Sequence, residues 1–297
     1  MKTPKRIEPL IEDGMVDEVL RPLMSGKEAA VYVVRCGRQL RCAKVYKEGD
    51  KRSFRQAAEY QEGRKVRNSR QARAMAKGSK YGRKEAEEAW QNAEVAALFR
   101  LASAGVRVPK PYDFLDGVLL MELVTDEDGQ AAPRLNDVHL EADQAREYHA
   151  FIIRQIVLML CAGLVHGDLS EFNVLLGPDG PVIIDLPQAV DAAANNHAFS
   201  MLERDVANMA HYFGRFAPEL KQTRYAREMW ALYQEGKLQP DSVLTGSWKD
   251  DDHVADVGGV MREIEAAKFE DARRRAGRED AERGPVKGEE PPPPWAQ

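Results

Sequence analysis

Between an almost wholly apolar run at residues 152–164 and the turn sequence Gly-Pro-Asp-Gly at 177–180, the chain reads VHGDLSEFNVLL over residues 165–176. Ahead of this stretch Tyr148, Ile152, Ile156, Met159 and Gly163 keep helical spacing, which predicts a buried helix between Glu141 and Gly163. Behind it NVLL and VIID flank the turn, where proline presets φ and glycine accepts a positive φ, so a β-hairpin is predicted. Helix, short loop and hairpin in that order hold Asp168 on a loop between rigid elements, a common setting for reactive groups. Asn173 then opens the first strand and Asp185 closes the second, and the turn brings Asp185 back toward Asn173. A carboxylate and an amide oxygen placed together are hard ligands for Mg²⁺, which completes its octahedron with water and phosphate oxygens. Asp168 is left to orient and deprotonate a hydroxyl.

The preceding half supplies what such a site would need on the phosphate side. EAAVYVV and RCAKVYK read as two strands joined around Gly37, and Lys44 sits in the middle of the second, where a lone ammonium is costly without a partner. Trp90, Ala93, Ala97, Leu101 and Ala104 recur at helical spacing from about residue 85 until Gly105 ends the pattern. That helix offers Glu94 as the partner, with Glu85, Glu87 and Glu88 as rivals, and a Lys–Glu pair can hold nucleotide phosphates as it does in protein kinases. SGKEA at residues 25–29 lies where a phosphate-covering loop belongs, although its one glycine leaves the GxGxxG pattern absent. GVLLMELV at 117–124 has strand length, and the loop after it marks a boundary between lobes. Each residue alone has a plain alternative: Asp168 as a helix-end cap, Lys44 as a snorkelling strand-edge lysine, Glu94 as part of a solvated helix face. His166 and Asp205 read as architecture around the loop.

Strands with one helix, followed by mostly helices with one inserted hairpin, predict an α+β protein of two lobes. The expected divisions are a leader at 1–24, an N-lobe at 25–124, a C-lobe at 125–271 and a charged, Pro-rich tail at 272–297 that cannot form a core. Cys36, Cys42 and Cys161 lack CxxC spacing, which argues against a disulfide framework or zinc cluster and for buried thiols in a reducing cytosol. No run has signal-peptide or membrane-spanning character, so a cytoplasmic location is expected. Residues 51–84 carry 12 Lys and Arg against only Glu59 and Glu62. Such a run is either a solvated, mobile loop or a salt-sensitive contact to RNA phosphates. Phe54, Tyr60 and Tyr81 are too few to support specific stacking on bases.

Taken together these residues resemble the RIO family of atypical protein kinases, in the subgroup whose phosphate loop reads GKEA and whose catalytic loop reads D-L-S-E-[YF]-N. The resemblance covers about residues 25–213, through GKEAAVY, AKVYK, Met121 with Glu122, AAPRL, LVHGDLSEFNVL, IIDLPQAV and LERDVANMAHYF. It implies a bilobal kinase fold, ATP as phosphoryl donor and Mg²⁺ or Mn²⁺ as metal. Asp168 is implied as the catalytic aspartate, Asn173 and Asp185 as metal ligands, and Lys44 as the phosphate-contacting lysine. Ser25 and Lys27 are implied to line the phosphate loop, and Met121, Glu122 and Leu123 to form the hinge that meets adenine through its backbone. In the family the aspartate matching Asp185 can itself accept phosphate, and a flexible loop matching 51–84 is sometimes autophosphorylated, which makes Ser69 and Ser79 candidate acceptors.

Two departures from ordinary protein kinases bear on mechanism. Ser170 stands where they carry a lysine, so the transferring phosphoryl group gains no positive charge there and slower transfer is expected. DLPQAVDAAANNHAF replaces Asp-Phe-Gly and reaches the next helix without Ala-Pro-Glu, which leaves little room for a regulated activation loop. The function expected is therefore an ATP- and metal-dependent serine/threonine protein kinase, self-phosphorylation included. Two other classes share parts of the pattern. Aminoglycoside and choline phosphotransferases also place an asparagine five residues after the aspartate of HGD. A nucleotide-gated module that hydrolyses ATP on ribosomal subunit precursors is implied by the family's ribosomal ties.

Overall fold

The computed structural model describes residues 3–26, 28–47 and 80–248, with backbone alone for 80–88. Most of the basic segment, with Ser69 and Ser79, lies outside the described residues, as do Lys27 and the tail.

Five antiparallel strands build the N-terminal lobe: β1 (Glu18–Ser25), β2 (Ala29–Cys36), β3 (Gln39–Tyr46), β4 (Pro111–Leu115) and β5 (Val118–Glu122). They are ordered β1-β2-β3-β5-β4. Side chains alternate across a strand, and the sheet uses both faces. Ala43 and Val45 of β3, with Val118 and Leu120 of β5, pack against Ile7, Leu10 and Val16. Tyr46 and Leu119 turn the other way, toward helix α2 (Lys80–Ser103) and the main core. Lys44 shares the parity of Tyr46, and its register partners are Val31 and Leu119.

The N-terminal residues expected as a leader belong to this lobe. They hold helix α1 (Glu8–Glu12) and all but the last residue of β1, and Ile7, Leu10 and Val16 are fully buried. Removing three such side chains from water is worth about 1.5–3 kcal/mol each, so the segment covers a sheet face that would otherwise be wet. Helix α2 starts at Lys80, inside the basic segment and ahead of the expected residue 85, and ends before Gly105.

Beyond β5 the fold is mostly helical, as the element order predicts. Helix α3 (Ala142–Cys161) buries Ile152, Ile153, Ile156, Val157, Met159 and Leu160. It leads into β6 (Leu164–Val165), the hairpin β7 (Val174–Gly177) and β8 (Gly180–Ile183), and β9 (Val190–Asp191), which pairs with β6. Helices α4 (Ala198–Phe213) and α5 (Tyr225–Gln234) follow, joined through the 3₁₀ turn Pro218–Gln222. Among the cysteines Cys42 is buried, but Cys36 is only partly covered and Cys161, at the last turn of α3, is exposed. None of the described helices is long and apolar enough to cross a membrane.

The AAPRL motif ties the lobes together. The Ala132 N–H donates to the Val124 carbonyl (3.0 Å) and the Leu176 N–H to Pro133 (2.9 Å), while Arg134 forms a bridge with Leu175. Leu135 is fully buried, and its carbonyl accepts from the Tyr212 hydroxyl at 2.5 Å.

Candidate active site

The loop between β6 and β7 is held from below by a single carboxylate. Asp205 of α4 is 1% exposed and accepts from the backbone N–H groups of Gly167 (2.8 Å) and Leu169 (2.9 Å). Burial pushes its carboxyl up, against the pull of His166, the two N–H donors and Arg204. Gly167 takes φ 81°, a left-handed conformation that a side chain would strain, which is why a glycine precedes Asp168. Arg204 donates to the Gly167 carbonyl and the Asn208 amide to that of Leu169 (3.0 Å). His166 is 2% exposed, with Nε2 3.1 Å from the Ile184 carbonyl, and so locks the loop to the strand that leads to Asp185. Asp168 itself is exposed between two buried residues. Partial burial raises its carboxyl above the usual range, as does Asp185, while His166 and Arg204 lower it.

Asn173 ends the 3₁₀ turn Glu171–Asn173 rather than opening β7, and Asp185 lies two residues past β8. The hairpin nevertheless joins them: the Ile184 N–H donates to the Asn173 carbonyl at 2.9 Å. The Asn173 side-chain nitrogen donates to the Asp168 carbonyl (2.8 Å), which commits the amide's donor end and leaves its oxygen for a cation or another donor. Asp185 adopts φ 67°, rare outside glycine though tolerated best by Asp and Asn, and its side chain is half-exposed. One carboxylate and one amide oxygen, with Asp168 next to them in the hydrogen-bond chain, suit a hard cation that keeps several waters and phosphate oxygens. They do not suit a cation that needs an all-protein cage. No group of three His, Cys, Asp or Glu that could hold a metal occurs among the described residues.

From the N-terminal lobe Lys44 reaches the same place. Its Nζ lies 2.5 Å from Glu94 Oε1 and 3.4 Å from Asp185 Oδ1. Burial works against the ammonium, but Glu94 and then Asp185 outweigh it and hold the pKa above the usual lysine value. Glu94, the predicted partner, is 4% exposed, and its second oxygen accepts from the Tyr46 hydroxyl at 2.8 Å. Trp90 and Phe114 meet the Tyr46 ring edge-on at 6.1 and 6.2 Å. Tyr46 escaped the sequence reading, although standing two residues after Lys44 in a strand already put it on the same face.

Lys44, Glu94, Leu119, Met121, Ile184 and Asp185 line one cleft. The other expected residues distribute around it. Ser25 ends β1, where its hydroxyl accepts from Lys47 Nζ at 3.0 Å, and the same ammonium caps the Gly26 carbonyl at 2.6 Å. Leu123 turns its side chain into a small cluster with Val33 and Cys42. Glu122 points away from the cleft into a bidentate pair with Arg107 (2.8 and 2.9 Å) and also accepts from the Lys110 N–H at 3.0 Å. Burial raises its carboxyl, but the Arg107 and Lys110 contacts prevail and hold it below the usual range. The Glu122 N–H is spent on the Lys110 carbonyl.

The family model of the RIO domain matches residues 30–226. The RIO-type serine/threonine-protein kinase Rio1 of Haloferax volcanii is 38% identical over 212 residues, covering 69% of this chain and 67% of that protein. Its namesake in Methanocaldococcus jannaschii is 34% identical over 208 residues, covering 69% and 66%. The human serine/threonine-protein kinase RIO1 is 31% identical over 208 residues. The matched region spans about two thirds of the archaeal relatives and 35% of the human one.

Proposed function

This chain belongs to the RIO family of atypical serine/threonine protein kinases, and on that premise we propose that it transfers the γ-phosphate of ATP to a protein serine or threonine, its own chain included. The observation that carries the reading is the position of Lys44, whose ammonium joins Glu94 of the first lobe to Asp185 of the second at the cleft. In this reading Lys44 meets nucleotide phosphates and Glu94 keeps it extended. Met121 and Leu123 border the base, Ser25 and Lys27 belong to the phosphate loop, and Glu122 serves by holding the hinge through Arg107. Asn173 and Asp185 are the residues that would hold Mg²⁺ or Mn²⁺, which when bound neutralises charge on the phosphates.

Asp168 is the acceptor-side group. Its loop is pinned by Asp205 and its carbonyl by Asn173, so the exposed carboxylate, which accepts only from the Gln188 amide at 3.4 Å among the described residues, is pre-aimed and can accept the proton of a substrate hydroxyl. Its raised pKa favours that role, because a carboxylate closer to neutrality is a better base when ionised. The test is Asp168→Asn with purified protein and γ-labelled ATP. Transfer should fall by about two orders of magnitude or more, while nucleotide binding, read by thermal shift, persists. Equal transfer by wild type and variant would remove the proposal.

A further inference from the structure

A protein substrate needs a surface to lie on, and the usual one is short here: α4 begins only 13 positions after Asp185, and β9 within that interval is paired to β6. The far side of α4 offers another. A hollow of about 440 Å³ sits beside the loop, lined by Glu171, Asn208, His211, Tyr212 and Arg215. A second, of about 300 Å³, runs between α4, the 3₁₀ turn and α5, with His211, Lys221, Arg224 and Arg227 in its wall. His211 borders both, so the two hollows adjoin across its side chain and make up a two-part depression. Its near end is attached to the proposed active site, since Asn208 donates to the Leu169 carbonyl, one residue after Asp168.

Charge along this depression is mostly one sign. Arg227 is neutralised by Glu203 at 3.1 Å. Glu219 is occupied by Arg146, and Glu228 accepts from the N–H groups of Thr245 and Gly246. Arg215, Lys221 and Arg224 are exposed and form no ion pair among the described residues. Arg215 lies against the Tyr212 and Phe216 rings, 5.6 and 5.8 Å from their centroids, which steadies its guanidinium in place. At the end nearest Asp168 negative charge comes from Glu171 in the lining and from Asp137 close to Tyr212. The floor of the second hollow is small and apolar, formed by Val206, Ala207, Ala210 and Ala226.

Resting on the kinase reading above, we propose that this depression docks an acidic, aliphatic-containing segment of the protein substrate. Arg215, Lys221 and Arg224 take its carboxylates and the alanine floor takes its apolar side chains. A nucleic acid fits less well: Tyr212 is buried and covered by Arg215, which leaves His211 as the one exposed ring in the lining, too little for bases to stack along a strand.

The test uses two fluorescent peptides of one length, one with a run of Glu and Leu beside a serine, the other with each Glu changed to Gln. The full chain and its triple variant Arg215→Glu/Lys221→Glu/Arg224→Glu are compared. None of the three residues touches the proposed ATP site, so ATP-dependent self-phosphorylation reports on folding and chemistry. Expected are tighter binding of the Glu peptide to wild type, by anisotropy without ATP, and a loss of at least about tenfold in the variant that high salt reproduces. Phosphorylation of that serine should fall in parallel while self-phosphorylation holds. Equal binding of both peptides, or of either protein to the Glu peptide, overturns the proposal. Loss of polyuridylate binding in the variant with unchanged peptide binding overturns it too and reassigns the surface to RNA. If wild type binds the Glu peptide but phosphorylates neither it nor itself, docking stands and the kinase reading fails.

Discussion

Changing Tyr46 to Phe removes one oxygen atom from the candidate site and nothing else. The ring keeps its edge-on contacts with Trp90 and Phe114, so packing is constant. What goes is the 2.8 Å donation to Glu94 Oε2, made where both groups are nearly inaccessible. A hydrogen bond to a charged group is worth about 1.5–3 kcal/mol, and a buried acceptor left alone costs toward the upper end. At roughly 2–4 °C per kcal/mol for a domain of this size, Tm should drop by roughly 4–10 °C. Function should suffer separately. With one anchor gone, Glu94 can turn, and Lys44 loses the 2.5 Å contact that holds its ammonium in place beside Asp185. If half of the bond energy had been holding Lys44 in place, kcat/KM for ATP falls about threefold to tenfold, since 1.36 kcal/mol is a factor of ten. The loss should appear in KM for ATP more than in kcat. Nucleotide-dependent transfer and thermal melts on wild type, Tyr46→Phe, Glu94→Ala and the double variant give the answer. Because the hydroxyl acts through Glu94, Tyr46→Phe should cost little once Glu94 is Ala. An unchanged Tm and KM in the single variant, or an equal loss in both backgrounds, would refute the reasoning.

Asp205→Ala leaves the Gly167 and Leu169 N–H groups unpaired in the interior, which costs about 3 kcal/mol or more. Chemical denaturation should show that loss, with transfer activity falling further than stability alone explains. His149 is 2% exposed, has no partner for Nε2, and is pushed down to about 4 by burial. The unfolded chain therefore binds a proton that the folded chain refuses, so the stabilising contribution is complete above pH 6.5 and is lost as pH falls toward 4. Between pH 7 and 5 wild type should lose roughly 2 kcal/mol that a His149→Leu variant keeps, and parallel urea titrations at both pH values check the difference. Glu122→Gln should leave KM for ATP within about twofold, because the side chain faces Arg107, while lowering stability by about 1–2 kcal/mol; a large rise in KM would return Glu122 to the adenine side.

Lys44 and Glu94 could be paired from sequence because a cation in an apolar strand demands an anion. The helix carrying Glu94 was legible too, but its orientation was not. The apolar positions Trp90, Ala93, Ala97 and Leu101 suggested one face; Ala97 and Leu101 are indeed buried, but the buried set also takes in Gln91, Glu94, Val95 and Leu98. Two polar residues sit inward there because Glu94 has Lys44 and Tyr46 to satisfy it, and no hydrophobic period records such a partner. The β7–β8 hairpin was visible through its turn chemistry. Strand β1 was not: it contains Pro22, its register against β2 shifts twice, and its burial lacks a period of two. Helix α1 is five residues long, too short to leave a periodic signal. Strand β5 was visible as a short apolar run, but such a run cannot say which side chains face the cleft. Glu122 was settled by Arg107, 15 positions away.

These contacts bear on control. In many kinases the helix carrying the glutamate swings, and activity follows its position. Here Glu94 is held by Lys44 through one oxygen and by Tyr46 through the other, with Tyr46 wedged between two aromatic rings. Moving the helix would break two charge-assisted bonds and expose a carboxylate that the interior cannot solvate. On the second lobe His166 and Asp205 fix the loop before Asp168, and the segment after Asp185 is taken up by β9 within a few residues. Among the described residues neither half of the proposed site retains a free element to act as a switch, so the described part of the nucleotide side is held in one arrangement. On the kinase reading, selectivity then has to be exerted where the fold is still open, at the entry of the protein substrate. A charged depression that begins one residue from Asp168 and ends at α5 is where such selection would be felt.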